Sequence, residues 1–129
     1  MKNKQNFVIV KGVLQPRFNF PKNKEEALDL SIKKWEFLVK YYTKSRNFVH
    51  DGAANTCGLC KFHNCICTHC IISVITKQVG CTGTPYPDYK KCYYDINSSY
   101  KDLLFYAKQE VKFLKSIKGK QGLKNEEKI

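Results

Sequence analysis

Apolar residues recur along this chain in two helical stripes and one short alternating run. The clearest stripe lies in residues 23–44. Asn23 is a favourable N-cap and Glu26 follows three residues later, a capping-box pattern. Leu28, Ile32, Trp35, Val39 and Tyr42 then recur at intervals of four, three, four and three, which predicts a helix of about 20 residues with one apolar face. Lys33, Lys34, Lys40 and Lys44 are read as lying mainly off that face, and Trp35 as a core anchor. A second helix is predicted from Ser99 to Lys118. Ser99 and Asp102 open it, Leu104, Ala107, Val111 and Leu114 form its stripe, and Leu103, Tyr106, Phe113 and Ile117 widen it. Two such helices bury their stripes by packing on each other, antiparallel or obliquely.

The other segments are shorter. Residues 6–14, NFVIVKGVL, predict a strand, a break at Gly12 and a second strand. Residues 45–56 predict a loop with a turn at Asp51-Gly52. His50 and Asp51 are adjacent polar groups there, read as an ordinary turn or, more sharply, as a support for a neighbouring metal site or a catalytic pair. Cys67 to Val79 predicts a short helix packed through Ile71, Ile72, Val74 and Ile75. The two prolines and the glycine of TGTPYPDY, residues 82–89, predict a rigid loop without regular structure. Residues 119–129 read as a frayed, flexible tail. The fold class is therefore α+β: one helix-rich domain over residues 1–118, with two long amphipathic helices and a short N-terminal strand or hairpin.

Cysteine spacing adds a metal to this picture. Six of the seven cysteines fall within residues 57–81. Cys57 and Cys60 form one C-x-x-C pair, Cys67 and Cys70 another, and Cys81 follows. A C-x-x-C turn presents two thiolates to one ion, so the pattern predicts a structural zinc knuckle. Four ligands are needed. Either Cys57, Cys60, Cys67 and Cys70 supply them, or Cys81 replaces Cys67; His63 and His69 are less natural ligands, and Cys65 and Cys92 are spare thiols. An iron–sulfur cluster also takes four thiolates, but the common ferredoxin spacings are missing. A binuclear zinc cluster shares the opening spacing. The odd cysteine count disfavours a complete disulfide framework, and thiolate ligands suit a reducing compartment.

The formal net charge of +12 is uneven: residues 1–50 carry +7, residues 51–99 +1 and residues 100–129 +4. Such a balance suits nucleic acid, nucleotides or an acidic protein as partner. Only Arg17 and Arg46 are arginines, and base and phosphate recognition favours the planar arginine fork, so sequence-specific readout of bases is disfavoured. Tyr86, Tyr89, Tyr93 and Tyr94, interleaved with Lys90 and Lys91, form a candidate contact surface for a protein or for stacked bases. The H-x-E…P-C-x-x-C deaminase signature, H-E-x-x-H, a Gly-rich phosphate loop and a nucleophile elbow are all missing, which weighs against an enzyme. The apolar run Phe7–Val10 is too short for a secretory leader, and no stretch reaches the ~20 apolar residues of a membrane span. A cytoplasmic location is expected.

The order of these elements, NKEEALDLSIKKWEFL leading to HDGAANTCGLC, a second C-x-x-C, GCTGTPYPDY and AKQEVKFLKSI, resembles a group of small cysteine-rich proteins encoded by bacteriophages and some bacteria. The resemblance covers roughly residues 20–118, and C-G-L-C and G-C-x-G-T-P-Y are its most specific parts. His69, Ile71 and Cys65 depart from the pattern. The resemblance implies Cys57, Cys60, Cys67, Cys70 and Cys81 as the defining set, and a host-directed protein such as an inhibitor of host defence. It implies no chemical activity. The leading expectation is a non-enzymatic protein that binds a host protein or complex, with a nucleic-acid or nucleotide binder as the alternative.

Overall fold

A computed structural model describes residues 6–18, 21–52, 56–59 and 84–128, with backbone alone beyond Lys118. The described residues form a mixed α/β arrangement of three helices and one two-stranded antiparallel hairpin. Strands β1 (Phe7–Val10) and β2 (Val13–Pro16) pair in the register Phe7↔Pro16 to Val10↔Val13. The two residues between them, Lys11 and Gly12, have φ of 51° and 78°. Positive φ at both positions is the type I′ hairpin turn, whose twist matches that of the strands, so the glycine read as a break is part of the turn itself. Alternation turns Phe7 and Leu14 inward, and Phe7 meets Phe18 edge-on at 5.5 Å.

Helix α1 spans Lys24–Lys44, and its cap forms as predicted. The Asn23 side chain accepts from the Glu26 N–H at 2.8 Å, and Glu26 Oε1 accepts from the Lys22 N–H at 2.7 Å. Its buried face holds Ala27, Leu28, Ile32, Trp35, Leu38 and Tyr42. Leu38, not Val39, takes the middle position, and Val39 is half-buried. Helix α2 spans Tyr86–Tyr94 and α3 spans Tyr100–Lys128. Ion pairs Glu36–Lys115 and Asp29–Lys118 join later residues of α3 to earlier residues of α1, so these helices run antiparallel.

Three expectations are corrected. Residues 82–89 are not all loop, because α2 begins within them. Pro87 falls in the first helical turn, where the proline's missing N–H has no intrahelical partner to lose. The Thr84 hydroxyl accepts the Tyr86 N–H, and the Pro85 carbonyl accepts from Asp88 and Tyr89. Second, α3 does not stop at Lys118. No proline follows, and a glycine within a helix costs about 1 kcal/mol, which neither Gly119 nor Gly122 turns into a stop. Third, the buried line on α3 is Leu103, Ala107, Glu110, Leu114 and Ile117. Leu104 and Val111, read as its centre, are half-buried. The predicted helix over 67–79 lies outside the described residues.

Candidate functional site

The first half of the C-G-L-C turn rests directly on α1. A side chain at Gly58 would place its Cβ 2.5 Å from the Ala27 carbonyl oxygen and 2.7 Å from Leu30 Cβ, so only glycine lets the turn approach this closely. Leu59 is buried, and its N–H donates to Ser31 Oγ at 3.3 Å. The same oxygen lies 3.6 Å from Cys57 Sγ. Either atom can donate in this contact; were Cys57 a thiolate, the Ser31 hydroxyl would be the donor. Cys57 therefore sits where a metal-binding thiolate would gain a hydrogen bond. Among the described residues no group of three or more His, Cys, Asp or Glu side chains is placed to hold a metal ion. Cys60, Cys67, Cys70 and Cys81, along with Cys65, His63 and His69, lie outside the described residues.

Beside this turn is a buried charged cluster that the sequence does not announce. Lys34, expected off the apolar face, points inward: its Nζ donates to Asp51 Oδ2 at 2.8 Å, with both side chains almost entirely enclosed. The ammonium also lies 5.0 Å from the centre of the Trp35 ring and 5.7 Å from that of Tyr86, within cation–π range. Tyr86 donates its hydroxyl to Asp51 Oδ1 at 3.3 Å. Burial by itself would raise the Asp51 pKa, but Lys34 and the Tyr86 hydroxyl hold it below the ordinary value, so Asp51 is a carboxylate. Asp51 is fixed from its backbone too. Its carbonyl accepts from Thr56 Oγ1 at 2.6 Å, and Gly52 turns the chain with φ of +83°. The neighbouring His50 pairs with the hairpin, giving its carbonyl to the Leu14 N–H and its N–H to the Gly12 carbonyl. Asp51 is thus the buried counter-ion of Lys34, and the His50 ring accepts the Gly52 N–H.

Glu110 on α3 is the third ionisable group enclosed here, 3% exposed. Its Oε1 has no hydrogen-bond partner among the described residues. Burial pushes its pKa up to about 7, against the opposing pull of the Thr84 hydroxyl and of Lys34. It is therefore largely protonated in mildly acidic solution. Asp51 was singled out in the sequence, though not as the partner of a buried lysine; Lys34, Glu110, Ser31 and Thr84 were not among the candidate residues. The one readable sign was the 103–107–110–114–117 spacing, which puts Glu110 on a core line.

The candidate tyrosines divide into inner and outer groups. Tyr89 is 0% exposed. Its hydroxyl lies 2.9 Å from that of Tyr42, both are within 3.2 Å of the Val49 carbonyl, and the Val49 N–H donates to Tyr42. Burial raises the pKa of both phenols, so both remain neutral donors. Tyr89 also meets Trp35 edge-on at 4.9 Å. It is a core residue, which corrects its reading as a contact residue: it has no surface to offer a partner. Tyr86 is half-buried with its hydroxyl on Asp51. Tyr93 packs against Phe48 and His50, while Tyr94 is 66% exposed and Lys90 and Lys91 are exposed. Beyond α2, Ile96 is 94% and Phe105 54% exposed. No helix among the described residues is long and apolar enough to cross a membrane. No family model, no curated protein and no solved structure matches the chain.

Proposed function

We propose that this chain is a non-enzymatic binding protein, stapled by a structural zinc ion, that docks on a protein of a bacterial host. The observation that carries the reading is a contrast in exposure. The groups best suited to chemistry, Lys34, Asp51 and Glu110, are enclosed and committed to the core, whereas Tyr94, Ile96 and Phe105 stand in solvent near the exposed Lys90, Lys91 and Lys101. Large apolar side chains among lysines suit an interface whose partner is acidic at its rim. The resemblance to phage-encoded cysteine-rich proteins supports a host target, such as a component of host defence.

The zinc staple rests on the paired cysteines together with the close seat of Cys57 and Gly58 on α1 and the Ser31 hydroxyl beside the sulfur. Cys57 and Cys60 would supply the first two thiolates, with the remaining ligands from Cys67, Cys70 and Cys81. Bound there, the ion would join this turn to the rest of the cysteine segment and contribute directly to folding.

The test is capture of a partner from nuclease-treated host extract, by the wild type and by Ile96→Asp/Phe105→Asp. One stoichiometric protein retained by the wild type and lost with the variant supports the docking face. Equal capture by both, or none by either, overturns it. Native mass spectrometry tests the staple separately: one zinc per chain is expected, and unchanged ellipticity and melting after metal is stripped by a strong chelator would defeat it.

A further inference from the structure

A second surface, formed by the C-terminal half of α1 and the start of β1, combines charge with aromatic rings. A groove of about 600 Å³ runs between β1 and the C-terminal half of α1, lined by Phe7, Phe37, Tyr41, Lys33, Lys40 and Lys44. Its volume falls within the range of small-ligand sites, roughly 300–1,000 Å³. The rings form its wall: Phe7 and Phe37 lie 6.2 Å apart, and Tyr41 follows Phe37 by one helical turn. All three lysines are exposed. Lys40 and Lys44 are about 6 Å apart along the helix axis, and Lys33 lies about 10 Å before Lys40. The one carboxylate in the groove, Glu36, is engaged by Lys115 at 3.1 Å. The other acidic residues of α1, Glu25, Glu26 and Asp29, belong to its N-terminal turns, and of the groove's three lysines Lys33 alone also lines the hollow beside them.

The geometry points to a nucleoside phosphate as the ligand of this groove, its base stacked on Phe37 or Tyr41 and its phosphates held by Lys33, Lys40 and Lys44. Flat aromatic walls accept any base through its π-face, and lysines neutralise phosphate without reading sequence, so the site suits a free nucleotide or one unit of a single strand alike. Near-total reliance on lysine, which argues against sequence-specific recognition, is no obstacle to this chemistry. The site is separate from the docking face around Ile96, and neither depends on the other.

Two probes distinguish the sources: a fluorescent N-methylanthraniloyl ATP and a fluorescein-labelled 12-mer of oligothymidylate, titrated into the full chain by anisotropy. Three lysine–phosphate contacts on a single strand predict a log–log salt slope of about −2, a loss of about 15-fold in affinity between 50 and 200 mM salt. Lys40→Glu/Lys44→Glu should abolish most of that dependence and weaken binding at low salt by at least tenfold, roughly the loss of two phosphate contacts. Lys108→Glu/Lys112→Glu removes the same charge from α3 at residues that do not line the groove, and should change affinity less than threefold, about the effect of screening alone. Phe37→Leu keeps an apolar side chain and should weaken both probes. Binding of the strand alone, or of the nucleotide alone, supports the proposal and names the source. No binding of either probe, equal weakening by the two lysine pairs, or equal competition by inorganic triphosphate would overturn it. Melting curves of each variant confirm that the fold is retained.

Discussion

Replacing Glu110 by glutamine should convert a pH-dependent stability into a flat one. Glu110 is held at a pKa of about 7 in the folded protein, against an ordinary value of 4.5. Below 4.5 the carboxyl is protonated in folded and unfolded chains alike, and burial costs nothing extra. Between 4.5 and about 7 the folded protein keeps a proton that the unfolded chain releases, so stability falls as pH rises. Above 7 the buried carboxylate carries its full penalty. Each pKa unit corresponds to 1.36 kcal/mol, so the penalty reaches about 3 kcal/mol. Glutamine has the same shape, can still accept from Thr84, and carries no charge at any pH. Asp51 shifts the other way: its depressed pKa adds stability that is lost only as pH falls below the ordinary carboxylate range, so it does not contribute between pH 5 and 8. Urea unfolding of the wild type and Glu110→Gln at pH 5 and pH 8 provides the test. The variant's advantage should grow by about 2–3 kcal/mol across that interval, with unchanged m-values. A constant difference would mean that Glu110 does not titrate in the core as described, and would refute the account of its burial.

Three further outcomes follow from the same packing. Lys34→Met and Asp51→Asn should each destabilise by about 3–5 kcal/mol, because each leaves a buried charge without its counter-ion. The double variant should cost less than the sum, as measured by a double-mutant cycle of urea melts. Tyr89→Phe should cost about 1–3 kcal/mol by breaking the hydroxyl pair with Tyr42 over the Val49 carbonyl, whereas Tyr94→Ala should stay within about 0.5 kcal/mol; thermal melts separate the inner from the outer tyrosine. Gly58→Ala should destabilise by about 1–3 kcal/mol through collision with the Ala27 carbonyl, and the same melts, with zinc content measured alongside, will show whether the turn has left α1.

Local chemistry made much of this architecture legible. The Asn23–Glu26 cap, the stripe through Leu28, Ile32, Trp35 and Tyr42, the second helix and the hairpin about Gly12 all depend on residues within a turn or two of one another, and these are the interactions that sequence periodicity records. The prolines near 85 and 87 were misleading because their effect depends on position: fatal inside a helix, they are harmless in its first turn, and Thr84 and Pro85 place them there. The tyrosines of 86–94 have one composition and opposite fates, since a helix sends Tyr89 toward Trp35 and Tyr94 into solvent.

The charged core was hidden for a different reason. A lysine at 34 reads as lying off the apolar face, and a glutamate at 110 draws no notice, because an isolated buried charge is too costly to expect. Asp51 lies 17 residues from Lys34, and only the packing of the His50 segment against the hairpin brings them to 2.8 Å. Glu110 stands alone in an otherwise apolar line, and it is the closure of α3 on α1 that encloses it. Sequence by itself determined the two long helices and the hairpin, because each is encoded by neighbours along the chain. Tertiary structure decided which lysine, which glutamate and which tyrosine are inside, because burial depends on residues that meet only when the chain has folded.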